Sequence, residues 1–263
     1  MTARVAARRL HRGMPGGLRV VLAHGLEDSW SCWRPLVDRL DPGWGVRALE
    51  LPWRAGNDYR WREQDSAAGW LAAAVDTLDE PPDALVAHSF AANAALELMA
   101  AGDLRVGSAV VLVCPLYRPP VAEVTWDMFD RARATFEEHI REGVRARMGK
   151  RMAVVEPDVL AAMTVKALDR VGPIGLLTVF ERFVASADLP LHAVSQRTMV
   201  LAGGADRSLS ATAARMLAAA IPGATAQVND DFDHFCHVRR PDRVAEHIGE
   251  LLGALEPVEG GVR

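Results

Sequence analysis

The segment 85–92 constrains the fold of this chain more than any other. Its apolar start at 85–87 is typical of a buried strand, and the residues after Ser89 favour a helix. Ala87 and Ala91 stand two positions before and after the serine. A sharp turn from strand to helix strains the serine backbone and tolerates only small side chains at those two positions. The pattern therefore predicts a strand, a tight turn that exposes the Ser89 hydroxyl, and a helix; an ordinary buried strand end is the alternative.

Three other segments supply the groups that an activated serine needs. A histidine–glycine pair at 24–25 follows the apolar run 18–23, and Asp206 closely follows the apolar run 198–202. His234 precedes a last helical stretch near the end of the sequence. Serine is a weak nucleophile until a neighbouring base accepts its proton, and a carboxylate holds a histidine base in the correct tautomer.

The order of these motifs resembles the α/β-hydrolase superfamily, in which nucleophile, acid and histidine follow one another along the chain. The resemblance spans nearly the whole sequence. It implies an α/β-hydrolase fold, with a mostly parallel central sheet flanked by helices. It also implies Ser89 as nucleophile, His234 as base and Asp206 as acid. The backbone N–H groups of Leu26 and Phe90 are then the expected oxyanion hole.

The other histidines have competing interpretations. His237 is the rival of His234 as base, although the resemblance places it at a helix start rather than at a loop tip. A metal site at His234, Cys236 and His237 would lack a fourth ligand at a typical spacing, so we expect no metal, and no cofactor. His24 is expected to brace its loop, and His88 to point away from the pocket.

Two further patterns bear on the chemistry. The alternative acid position, after the sixth strand of the family, has Cys-Pro-Leu at 114–116 and offers no carboxylate, which favours Asp206 as the acid. The competing interpretation is that Asp206 is only an exposed loop aspartate. The segment 24–36 also resembles epoxide hydrolases and haloalkane dehalogenases, but those relatives use an aspartate where this chain has Ser89. Hydrolysis of a carboxylic ester or thioester through an acyl-enzyme fits better. The alternatives are an acyltransferase, cyclase or lyase of a biosynthetic pathway, or a ligand-binding relative without catalysis.

Short apolar runs alternate with amphipathic stretches, as in a parallel sheet covered by helices. Strands are predicted near 3–11, 18–23, 45–51, 84–88, 109–114, 198–203 and 224–229, and helices over 30–41, 63–79, 90–101, 210–220 and 239–254.

The alternation stops between residues 116 and 195, where helices are predicted over 124–152, 157–170 and 173–186. In relatives of this fold, such an insertion after the sixth strand forms a cap over the active site. The expected domains are a core of 1–115 and 196–263 and a helical cap, or lid, of 116–195. A plain structural insertion is the alternative.

A cap would exclude water and shape a substrate pocket. Its expected lining residues are Trp126, Met128, Phe129, Met163, Phe180 and Phe183, although the same spacing is typical of packed core. Trp53, in an aromatic-rich loop at 51–61, is expected either to form a binding wall or to cover the sheet edge.

Composition limits the partners. The formal net charge of −4 gives no electrostatic argument for nucleic acid or an anionic membrane. No run approaches the roughly 18 apolar residues of a membrane span, and no signal-peptide core follows the first arginines. The three cysteines are few and unpatterned, so we expect free thiols. We expect a cytoplasmic monomer or homodimer that acts on a small acyl substrate, free or bound to a carrier.

Overall fold

A single seven-stranded sheet organises the part of the chain that the computed structural model describes, residues 5–255. Its strands are β1 (Ala6–His11), β2 (Arg19–Ala23), β3 (Gly45–Glu50), β4 (Ala84–His88), β5 (Ala109–Val113), β6 (Arg197–Gly203) and β7 (Thr225–Asn229). Their order is β1-β3-β2-β4-β5-β6-β7, and β1 alone runs antiparallel to its neighbour. The predicted α/β-hydrolase arrangement is therefore confirmed. Six strands lie within one residue of their predicted bounds; residues 3–4 of the first prediction are outside the described part.

Helices cover both faces of the sheet and fill the long interval between β5 and β6. They are α1 (Arg34–Val37), α2 (Ala67–Val75), α3 (Phe90–Ala100), α4 (Trp126–Met148), α5 (Pro157–Ala185), α6 (Ala211–Ala220), α7 (Cys236–Arg239) and α8 (Pro241–Leu252). Short 3₁₀ turns lie at Trp30–Trp33, Tyr59–Glu63, Gly149–Val154, Ser186–Asp188 and Leu191–Ala193. None of the helices in residues 5–255 is long and apolar enough to cross a membrane.

Two predicted helices are shorter than expected. The prediction over 63–79 is a 3₁₀ turn followed by α2, because the Ser66 hydroxyl accepts a hydrogen bond from the Gly69 N–H at 3.0 Å. A capping serine starts a new helix, so the two segments do not merge. The prediction over 30–41 likewise becomes a 3₁₀ turn and the single turn of α1.

The central strands are apolar because both of their faces are buried. Every residue of β4 and β5 is buried. Leu85 and Ala87 belong to the cluster under α2, α3 and α6, whereas Ala84 and Val86 belong to the cluster under α1 and α8. This arrangement explains the unbroken apolar runs of the sequence, since a strand covered on both sides has no polar face.

The parallel strands direct the loops with chemical groups to one edge of the sheet. The loops that carry Gly25, Ser89 and Asp206 follow the carboxyl ends of β2, β4 and β6. His234 lies in the loop between β7 and α7. In open α/β sheets, ligands bind outside the carboxyl ends of the strands, and these four loops meet there.

Residues 116–195 form a helical insertion between β5 and β6. Helices α4 and α5 pack against each other, and α5 breaks at Gly172, where φ is +54°. The break separates the two helices predicted over 157–170 and 173–186. The prediction, which used the strand numbering of the family, placed this insertion after the sixth strand. Residues 5–255 contain five strands before it, so here it follows the fifth strand, β5.

Glu27 ties the helical insertion to the core. Its side chain is only 4% exposed and accepts hydrogen bonds from the Arg170 guanidinium of α5 and from the Tyr59 hydroxyl, the latter at 3.2 Å. The Arg147 guanidinium of α4 donates to the Glu27 backbone carbonyl. Both long helices of the insertion therefore hold the residue that directly follows Leu26.

A close approach at the end of β6 offers a test of the fold. A Cβ on Gly203 would lie 1.9 Å from the Phe232 carbonyl oxygen. Gly203→Ala should lower the free energy of unfolding by about 1–3 kcal/mol, because overpacking separates the loops of Asp206 and His234. Gly249→Ala is the control, since a Cβ there meets nothing within 4 Å; in α8 it should raise stability by up to about 1 kcal/mol. Denaturant unfolding measures both, and an undiminished stability of Gly203→Ala would contradict the close approach.

Candidate active site

Ser89 occupies the sharp turn between β4 and α3. Its φ of +51° and ψ of −117° are strained for a residue with a side chain. The Ser89 N–H donates to the Val113 carbonyl of β5 at 2.8 Å, which fixes the turn to the sheet. Ala87 and Ala91, on either side, are fully buried. The structure therefore contains the strand, tight turn and helix that the segment 85–92 predicts.

The structure brings together Ser89, His234 and Asp206, which are far apart in sequence. The Ser89 Oγ lies 2.9 Å from His234 Nε2, and His234 Nδ1 lies 3.0 Å from Asp206 Oδ2. A neutral imidazole that donates from Nδ1 to the carboxylate is free to accept the serine proton at Nε2. The three groups have the arrangement required to activate a nucleophile.

Ser208 completes the surroundings of Asp206. Its N–H and hydroxyl donate to Asp206 Oδ1 at 2.8 and 2.7 Å, and its Oγ lies 3.2 Å from His234 Nδ1. Burial disfavours the charge on Asp206, but the attraction and hydrogen bond of His234, together with the hydrogen bond from the Ser208 N–H, help to hold the pKa of the carboxyl well below its ordinary value. Sequence reasoning missed Ser208; its position two residues after the acid was the available signal.

Two backbone amides beside Ser89 have no acceptor among the described residues. Phe90 N–H opens α3, whose first intrahelical bonds are donated by later residues. Leu26 N–H is also unpaired, although the next amide, Glu27 N–H, donates to the Trp53 carbonyl at 2.9 Å. Leu26 and Ser89 line the same cavity. Such donors at a helix N-terminus and in a constrained loop are suited to a developing oxyanion.

His24 braces the loop of Leu26. The Leu51 N–H donates to His24 Nε2 at 3.1 Å, which leaves Nδ1 as donor to the Gly25 carbonyl at 2.8 Å. Burial lowers the pKa of His24 to about 4, so the ring is neutral. The ring therefore has two structural hydrogen bonds and no contact with Ser89 among those described.

His88 and His237 lie behind the His234 loop. The His88 Nε2 donates to the His234 backbone carbonyl at 2.7 Å. His237 is fully buried, with its ring 4.2 Å from that of His88 and 4.6 Å from that of Trp33. Burial lowers the pKa of His237 to about 3. Of the two candidate bases, His234 is the one that contacts Ser89.

His139 is a site residue that no sequence motif singled out. It lies on α4, and its ring stacks on that of His234 with 3.8 Å between centroids and 11° between planes. Its Nε2 is 3.7 Å from Asp206 Oδ1. Burial, and then repulsion from His234, lower the pKa of His139 to about 3 against the attraction of Asp206. Only folding brings this residue to the site.

A cavity of about 450 Å³ opens beside Ser89 and His234. Its apolar lining includes Leu26, Leu116, Met128, Phe136, Ile140, Leu176, Val179, Phe180, Phe183 and Phe235. Thr135, Arg131 and Arg207 are among its polar lining residues. Most of this wall comes from the helical insertion.

The structure separates the predicted lining residues into two groups. Met128, Phe180 and Phe183 line the cavity, and Phe129 packs edge-on against Phe180 at 5.0 Å. Trp126 and Met163 face outward instead, and Trp126 is 84% exposed at the first turn of α4.

The expectation of a binding wall at Trp53 is not met. Trp53 is buried in the core beside Trp61 and Phe90, and its indole N–H donates to the His24 carbonyl at 2.9 Å. The Trp53 ring packs the loop against the sheet and does not line the cavity.

Two separate sets of three buried side chains contain atoms that could bind a metal ion, and within each set these atoms lie within 4.8 Å of one another. One is Asp28, His88 and His237, and the other is Cys114, Asp206 and His234. The second set shares Asp206 and His234 with the site around Ser89. In the first set, His88 already donates a hydrogen bond to the His234 carbonyl. His234, Cys236 and His237 do not form a third such group among the described residues. Cys32, Cys114 and Cys236 are free thiols, as expected.

Solved structures of other proteins share the fold of this chain. The chain resembles the enol-lactonase from Burkholderia xenovorans LB400 (19% identity, 95% of this chain and 96% of that chain, TM-score 0.64). It also resembles a thermophilic esterase from Thermogutta terrifontis (20%, 96% and 94%, 0.60) and the meta-cleavage product hydrolase from Pseudomonas fluorescens IP01 (15%, 95% and 94%, 0.69). At these identities the likeness shows the fold alone.

Sequence comparison supplies the family. No curated protein matches the chain. The model of the alpha/beta hydrolase family matches residues 20–247, which include Ser89, Asp206 and His234. Since this match spans most of the sequence, the chain belongs to the alpha/beta hydrolase family, as the order of its motifs predicted.

Proposed function

We propose that this protein is a serine hydrolase that cleaves a carboxylic ester or thioester through an acyl-enzyme. The observation that supports this proposal is a chain of two hydrogen bonds. Ser89 Oγ lies 2.9 Å from His234 Nε2, and His234 Nδ1 lies 3.0 Å from Asp206 Oδ2. This series opens on an apolar cavity. A nucleophile, a base and an oriented acid beside a cavity are the requirements for acyl transfer.

The first half-reaction forms the acyl-enzyme. Ser89 Oγ attacks the acyl carbonyl carbon while His234 Nε2 takes the hydroxyl proton, and the carbonyl oxygen becomes an oxyanion. The N–H groups of Leu26 and Phe90 donate to that oxyanion. As the intermediate collapses, His234 gives the proton to the leaving alcohol or thiol, and the acyl group stays on Ser89 as an ester.

The second half-reaction releases the acid. His234 removes a proton from water, whose oxygen attacks the acyl carbon, and the same proton returns to Ser89 Oγ when the acyl bond breaks. Asp206 stays ionised throughout, because its depressed pKa keeps it a carboxylate that stabilises the imidazolium. The cycle uses protein side chains, backbone amides and water.

The cavity favours an apolar acyl group. Phe180, Phe183 and Met128 form part of its wall, and its volume of about 450 Å³ is in the range of small-molecule sites. We infer that the helical insertion of 116–195 acts as a cap on the core that the described residues before and after it form. We infer a small-molecule substrate, free or carrier-bound, for a cytoplasmic monomer or homodimer.

Removal of the nucleophile tests the proposal directly. Ser89→Ala should lower the rate of p-nitrophenyl ester hydrolysis by at least about a thousandfold, because no other group forms the acyl-enzyme. A fluorophosphonate should add one phosphonyl group to the wild type and none to the variant, as read by intact mass. Ser31→Ala, an exposed serine, is the control and should behave as the wild type. Hydrolysis at the wild-type rate by Ser89→Ala would refute the proposal. Added alcohol tests the transferase alternative through ester products.

The two candidate bases are separable by the same assay. His234→Ala should be as damaging as Ser89→Ala, and the double variant little worse, because members of such a unit act together. His237→Ala should keep kcat/KM within roughly tenfold of the wild type, since it only disturbs packing behind the loop. The reverse ranking of the two single variants would show that His237 is the base.

Selectivity for acyl chains tests the cap. Phe180→Ala removes part of the apolar wall, so it should change the ratio of kcat/KM for long acyl esters to kcat/KM for short ones. The change should correspond to about 1–3 kcal/mol of discrimination between the two substrates. Met128→Ala should act in the same direction. Trp126→Ala is the matched control, since that side chain is exposed away from the cavity. An equal loss for all chain lengths, with a lower Tm, would place Phe180 and Met128 in the structural core.

A further inference from the structure

His139 is placed to control the orientation of the proposed base. His234 rotates about its Cβ–Cγ bond with little intrinsic resistance, because torsions onto planar rings are broad. Proton transfer nevertheless requires Nε2 to face Ser89 while Nδ1 faces Asp206. A parallel ring 3.8 Å from one face of His234, at an angle of 11°, opposes that rotation because a tilted ring would collide with it.

His139 also shields the acid of the site. Its Nε2 lies 3.7 Å from Asp206 Oδ1, the oxygen that Ser208 already bonds. The His139 side chain is 15% exposed, while the side chains of His234 and Asp206 are 4% and 0% exposed. An imidazole in this position keeps water from competing for the carboxylate, so the hydrogen bond to His234 Nδ1 is preserved.

His139 is neutral near pH 7, which suits a residue that stacks on the proposed base. A cation stacked on His234 would oppose the imidazolium that forms during proton transfer. Two titratable groups act on His139: repulsion from His234 adds to the effect of burial, and the attraction of Asp206 opposes it. Burial is the largest of these effects, and the pKa of His139 is lowered to about 3. The ring is therefore neutral near pH 7 and adds packing without adding repulsion.

We propose that His139 is a positioning residue of the active site: carried by α4 of the helical insertion, it fixes the ring plane of His234 and covers Asp206. The inference rests on the proposed function, because it concerns the same reaction. It also gives the insertion a part in catalysis beyond binding substrate, since the stack exists only while α4 lies against the core.

Two substitutions separate the ring from its polar atoms. His139→Phe keeps a flat ring against His234 but has no nitrogen near Asp206. His139→Gln keeps a polar side chain and removes the ring. Glu138→Ala is the control for α4, because Glu138 pairs with Arg141 and Arg145 of the same helix. The full chain is assayed with a p-nitrophenyl ester, and rates are referred to the folded fraction measured by circular dichroism.

The expected result is a selective loss of turnover. His139→Gln should lower kcat about 10–100-fold with KM within about threefold, because a misplaced base impairs proton transfer more than binding. His139→Phe should keep kcat within about threefold of the wild type, and Glu138→Ala should be unchanged. Rescue by a ring without a proton-accepting nitrogen would support positioning by stacking.

Three results would overturn the inference: a wild-type kcat in His139→Gln, a loss in His139→Phe equal to that in His139→Gln, or a higher KM with unchanged kcat. The last would make His139 a substrate contact instead. In each of these cases, labelling of Ser89 by fluorophosphonate would leave the proposed function intact. A wild-type protein with neither ester hydrolysis nor labelling would overturn both proposals.

Discussion

The strained turn at Ser89 is the constraint on which the rest of the site depends. A residue with φ of +51° is retained only where its surroundings hold it. Here β4 is buried between β2 and β5, and the Ser89 N–H is bonded to the Val113 carbonyl. The small side chains of Ala87 and Ala91 permit the close packing. This turn sets where the hydroxyl lies, and the loops of Asp206 and His234 converge on it.

The helical insertion is joined to that centre at three points. Arg147 and Arg170 hold Glu27, which follows Leu26 in the loop of the proposed oxyanion hole. His139 stacks on His234 from a different part of α4, and residues of α4 and α5 form much of the cavity wall. Displacement of the insertion would thus affect the oxyanion loop, the base and the substrate wall together. Its helices are part of the proposed machinery as well as its cover.

Local patterns predicted the scaffold well because they report local physics. Strand positions followed from apolar runs of buried parallel strands, and the turn at Ser89 followed from steric limits on its neighbours. Trp53 and Trp126 show where such patterns fail. Both are large and apolar, yet Trp53 packs the core and Trp126 faces outward, since burial depends on neighbours that are distant in sequence. Helical spacing on α4 could not tell a wall of the cavity from an exposed turn.

The sequence by itself determined the family, the order of the strands along the chain and the identities of Ser89, Asp206 and His234 as candidates, because each lies in a motif set by adjacent residues. Only the tertiary structure decided that His234, rather than His237, reaches Ser89, and that His139 stacks on His234. Those contacts join residues from separate loops and from the insertion. They depend on how α4 and the loop before α7 pack against the sheet, which no neighbouring residue in the sequence specifies.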